Sequence, residues 1–223
     1  MPVLLAISVL TLDEAFYFHL EWIQYHVEVL ETMTFIYRCA QSLGTVFFYL
    51  IPIGLYWFFV DKKKMPFYGF GVKKFKVKPY LIMLACMFPL LLAASFRDDF
   101  LQNYPIYYNN GFNQLTFIPQ WLAIPLFELC YGLNFIMVEF LFRGFMVIAL
   151  AETIGINAIL PMATVYCVFH FGKPWGETIS SFFGGTILGV VTYNSRSIYG
   201  GIMVHLGIAF MMELLAFLQK CSF

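Results

Sequence analysis

The chain has 223 residues, 61% of them apolar and only 12% charged, and its thirteen basic and thirteen acidic residues leave no net charge. A soluble domain carries about 25% charged residues, so too little charge is present to cover an aqueous surface. Zero net charge also offers nothing to nucleic acid or to an acidic substrate.

A spanning helix needs about 20 mostly apolar residues, and the chain supplies several such runs. Residues 1–37 are ambiguous, because Glu21, Glu28, Glu31, His19 and His26 stand among aromatics; a short span and an interfacial helix both fit. Residues 3–12 are apolar, but no basic segment precedes them, and no cleavable signal peptide is expected. The clear runs are Gln41–Val60, Pro79–Phe96, Trp121–Ala151, Ile154–Phe171, Thr178–Tyr193 and Tyr199–Leu218. They predict an all-α, polytopic membrane bundle of about six to eight helices. Its partner is the lipid bilayer, and no nucleic acid is expected. The five cysteines stand singly, with no CxxC spacing, and read as lone thiols in apolar helices.

Lys62, Lys63, Lys64, Lys73, Lys74, Lys76 and Lys78 crowd into one short loop. The positive-inside rule predicts that loop 61–78 is cytoplasmic. The turn-rich stretch 97–120 then belongs on the other side. The chain reads as one integrated unit, with hydrophobic helices over 1–118 and a core over 119–219.

Ionisable groups inside such runs are costly and tend to be functional. Glu139, Arg143, His170 and His205 stand out, with Glu128 and Glu213 as further candidates. Glu139 and Arg143 are four apart and share a helix face, which predicts an ion pair. Gly144 allows another backbone to approach closely, and Gly184, Gly185 and Gly189 allow close helix packing that would bring His170 towards His205. Two histidines and a carboxylate suit a zinc site or metal-free general-base catalysis equally well. No HExxH or GxSxG is present, which excludes the corresponding protease designs. A proton relay is disfavoured because no inverted repeat is visible.

In order, these residues resemble the CAAX protease and bacteriocin-processing (CPBP, or Abi) family of intramembrane endopeptidases. The resemblance covers roughly residues 120–215. The family's EExxxR reads Val138-Glu139-Phe140-Leu141-Phe142-Arg143; its FxxxH reads Tyr166-Cys167-Val168-Phe169-His170; its HxxxN reads His205-Leu206-Gly207-Ile208-Ala209. The resemblance implies hydrolysis of a peptide bond near the cytoplasmic membrane face, on a membrane-associated peptide or lipidated protein. Glu139 and His170 would activate water, His205 would stabilise the oxyanion, and Arg143 would hold Glu139. If a divalent metal such as zinc were bound, Glu139, His170 and His205 would be its ligands. The expected location is a bacterial plasma membrane. Two departures count against hydrolysis: Val138 replaces the first Glu, and Ala209 replaces the Asn. The alternative is a degenerate member that binds or scaffolds, for example in self-immunity. All four polar groups are expected to line one cavity open towards the cytoplasm.

Overall fold

The computed structural model describes residues 2–16, 18–71 and 76–221. Lys73 and Lys74 of the basic loop lie outside the described residues. The fold is an all-α membrane bundle, with no strand among the described residues. Five stretches are long and apolar enough to cross a membrane: Pro2–His26, Leu30–Asp61, Val77–Ala94, Gln120–Val168 and Tyr199–Cys221.

Chain order sets the geometry. Helices α1 (Pro2–Ala15) and α2 (Phe18–His26) precede the long α3 (Leu30–Tyr56). After the turn that follows Asp61, α4 (Val77–Ala94) runs back. The short helices α5 (Asp98–Asn103) and α6 (Ile106–Asn109) then lie at the end where α3 begins. There Phe35 of α3 makes an edge contact with Phe112 at 5.3 Å between ring centres. The next stretch is α7 (Gln120–Glu139), which continues as a wide-turned π segment (Phe140–Ala149) into the short α8 (Leu150–Ile154). Helices α9 (Ile159–Val168), α10 (Trp175–Ser195) and α11 (Tyr199–Cys221) complete the bundle.

The 120–168 stretch is the centre. Its most apolar window is 72% buried by protein, against 11% for α4 and 39% for α11. Lipid therefore solvates the outer helices, and protein solvates the inner one. Phe140, Phe142 and Phe145 of the π segment are fully enclosed with Tyr68 and Ile198. Helix α10 was expected to span as Thr178–Tyr193, yet it falls outside the five apolar stretches. Its Ser, Thr and Asn side chains lower its apolarity; Ser181 and Thr186 turn their hydroxyls back onto backbone carbonyls one turn earlier.

The two ends of the bundle differ. At one end Tyr68 Oη donates to Asp61 Oδ2 at 2.8 Å, and the Ile198 N–H donates to the Gly69 carbonyl at 3.0 Å. Gly144 makes this possible, because a Cβ there would stand 2.7 Å from the Tyr68 carbonyl oxygen. At the other end Tyr104 Oη donates to Glu177 at 2.9 Å. Burial, reinforced by the Glu177 charge, pushes the Tyr104 phenol well above its ordinary pKa, so it stays a donor.

Candidate active site

The polar cluster starts from one turn of α7 and the π segment. Glu139 and Arg143 are both fully enclosed, and Arg143 Nη1 lies 2.9 Å from Glu139 Oε1. The N–H is not aligned on that oxygen, so the contact is an ion pair rather than a good hydrogen bond. The same Oε1 lies 3.0 Å from His205 Nδ1 on α11. A carboxylate can only accept, so His205 Nδ1 carries the proton and donates it. His205 Nε2 then accepts from Tyr166 Oη at 3.2 Å. This tautomer is assigned by the network. Tyr166 also lays its ring under the Arg143 guanidinium, 4.2 Å from the ring centre.

His170 joins by a different route. Its Nδ1 donates to the Tyr166 carbonyl one turn back at 3.0 Å, and its ring stands 4.6 Å from the Tyr166 ring. Tyr166 thus sits between the two histidines. Glu139, Arg143 and His205 meet directly, and His170 reaches them only through Tyr166.

Close packing fixes this arrangement. A Cβ at Gly201 would stand 2.1 Å from Glu139 Oε2, so only glycine admits the carboxylate against α11. Gly185 and Gly189 of α10 do the same for α9: their Cβ atoms would press on Tyr166 at 3.0 Å and on Met162 at 2.8 Å. Gly184 meets nothing within 4 Å and takes no part. Glu139 Oε2 and Arg143 Nε have no hydrogen-bond partner among the described residues, an expensive arrangement for enclosed charged groups.

A cavity of about 510 Å³ lies beside the cluster. Its wall includes Val138, Tyr166, His170 and His205, but neither Glu139 nor Arg143. The expectation of one cavity lined by all four polar groups is therefore corrected. Adjacent helical side chains diverge by about 100°, so α7 turns Val138 to the cavity and Glu139 into protein. Ala209, one turn beyond His205, is buried and does not line the cavity.

The cavity runs from Arg38 to Tyr49 on α3 and from Phe127 to Val138 on α7. Each interval is about 16 Å at 1.5 Å per residue. Asn103, Ile106 and Asn110 mark its mouth, at the end opposite Asp61 and the turn that follows it. A cytoplasmic basic loop and a cavity open to the cytoplasm therefore cannot both hold. Among the described residues no three His, Cys, Asp or Glu side chains converge on a metal position. Both His205 nitrogens are already engaged, so the zinc set Glu139, His170 and His205 is not assembled.

Three contributors escaped the sequence reading. Tyr166 stands where the motif has Phe, and its hydroxyl, which Phe lacks, binds His205. Gly201 carried no polar signal. Asn134 lines the cavity one turn before Val138, and a polar residue four before a motif position was the available hint.

The arrangement defines a membrane helix bundle with an enclosed Glu–Arg–His cluster beside a ligand-sized cavity. Residues 119–211 match the family model for type II CAAX prenyl endopeptidase, Rce1-like. Over this C-terminal core the chain is similar to the CAAX protease (CPBP) family. Among curated proteins and solved structures, no match is found.

Proposed function

We propose that this protein is a CAAX-protease-family member that binds a membrane segment or lipidated peptide in its cavity without hydrolysing it. The observation that carries this reading is the orientation of α7: Val138 stands on the cavity wall, where the family motif has its first Glu, and Glu139 faces Arg143 and His205. Among the described residues no Asp or Glu lines the cavity. A water held there has no carboxylate to take its proton, and loss of a general base costs about 10²–10⁴ in rate. Ala209, where the family motif has its Asn, is buried off the cavity wall, so the loss of hydrolysis rests on Val138 alone.

One observation favours a second reading, hydrolysis by a rearranged site. Glu139 orients His205, which reaches the cavity wall beside Tyr166 and His170. A carboxylate-held imidazole can serve as a general base. Its Nε2 must first release the Tyr166 hydroxyl, which occupies that lone pair.

The two readings separate in a cleavage assay on a prenylated peptide with purified protein. The binding reading expects retention of the peptide and no turnover. Val138→Glu, which returns a carboxylate to the cavity wall, is expected to introduce turnover. Wild-type cleavage that Glu139→Gln abolishes, in a protein that still melts cooperatively in detergent, would establish the hydrolytic reading instead.

A further inference from the structure

Two arginines stand well inside the spanning stretches, and they are treated differently. Arg143 is paired with Glu139. Arg38 is eight residues into α3, about 12 Å along the helix. It faces the cavity and has no carboxylate at ion-pair distance among the described residues. The other cation on the wall, Lys173, is already held by Glu177 at 2.7 Å. Among the described residues the cavity wall thus presents one guanidinium without an ion-pair partner and no acidic side chain. An intramembrane charge is costly unless something neutralises it, and among the described residues no carboxylate stands within ion-pair distance of Arg38.

We propose that Arg38 binds the phosphate of an anionic phospholipid whose acyl chain enters the cavity. A guanidinium offers a planar fork of donors that matches phosphate oxygens. Deeper than Arg38 the wall is aromatic, through Tyr131 and Phe135. Above it, Trp121 and Trp175 are 76% and 63% exposed at the same end of the bundle. Exposed tryptophans mark the headgroup layer, so the mouth opens where lipid phosphates lie. The volume of about 510 Å³ falls within the range of ligand cavities. The acyl chain would occupy the cavity that the proposed function gives to a membrane segment or lipidated peptide, so the two ligands are expected to compete. The headgroup preference at Arg38 does not depend on whether Val138 abolishes hydrolysis.

The test uses the full chain in detergent, with retained lipid measured by native mass spectrometry. Phosphatidylglycerol is compared with phosphatidylcholine of the same acyl chains. Phosphatidylglycerol is expected to bind about tenfold more tightly, the equivalent of one charge-assisted hydrogen bond. Arg38→Gln should erase that preference, and Arg38→Lys should keep part of it. Lipid-free melting of each variant reports whether it folds. Equal binding of the two lipids by wild type would overturn the proposal without any variant. So would a preference that survives in Arg38→Gln. Full competition by millimolar inorganic phosphate would mean that a free anion is the occupant. Arg38-dependent binding of a prenylated peptide carboxylate, with no headgroup preference, would assign the site to peptide. Peptide turnover would overturn the non-hydrolytic reading and leave this one standing.

Discussion

Val138 and Glu139 are neighbours in sequence and occupy opposite environments. Val138 faces a cavity that reaches the end of the bundle, and Glu139 is sealed among Arg143, His205 and the backbone of Gly201. One residue of offset on a helix separates a group that can meet a ligand from a group that can only organise protein. Spacing between motif residues therefore says less about chemistry than the direction in which each one points.

The largest expected effect comes from breaking the sealed side. Arg143→Met leaves the Glu139 charge enclosed and without its cation. Removing one partner of a buried pair costs about 3–5 kcal/mol, read as a loss of thermal stability in detergent. The double variant Glu139→Gln with Arg143→Met should lose clearly less than the sum of the single variants, because the charges leave together. Additive losses would show that the two groups are not coupled.

Gly201→Ala comes next. Its methyl would stand 2.1 Å from Glu139 Oε2, and overpacking costs about 1–3 kcal/mol. Gly184→Ala meets open space and is the control; it should be neutral or slightly stabilising. A comparable loss at Gly184 would contradict the packing described for α10. Tyr166→Phe deletes only the hydroxyl that donates to His205, so about 0.5–1.5 kcal/mol is expected. The smallest effect belongs to the cavity side, where Val138→Gln should change stability by less than about 1 kcal/mol. A larger loss there would mean that Val138 is packed like Glu139.

The same contrast shows what the sequence made legible. The hydrophobic runs announced a membrane bundle, because lipid demands long apolar helices. The four-residue spacing announced that Glu139 and Arg143 would meet. Gly144 announced a close backbone approach, and the Tyr68 carbonyl fills that role. The cavity wall was not legible. A rotation of 100° per residue assigns positions to faces but does not say which face is hollow. The role of Gly201 was equally hidden, since an absent side chain gives no signal until its neighbour is known. Glu31 and Arg38 lower the apolarity of the first turns of α3, so the apolar run starts near Gln41 although the helix begins at Leu30.

The two ends of the bundle sharpen the comparison on a larger scale. Asn110 stands at the cavity mouth, and Lys76 stands beyond the turn at the opposite end. In a cysteine-free background, cysteines at 110 and 76 should react with an impermeant thiol reagent from opposite sides of the membrane. Reaction of both from one side would break the bundle geometry.

The most direct test of the central claim is the rate of thiol modification along α7. Single cysteines are placed at 134, 137 and 138, with 139 probed in a variant that also carries Arg143→Met, so that no charge is left unpaired. Small methanethiosulfonate reagents should modify positions 134 and 138 quickly and positions 137 and 139 slowly, because Met137 and Glu139 are buried while Asn134 and Val138 line the cavity. Modification at 139 as fast as at 138 would contradict the account, because a carboxylate at 139 would then reach the cavity.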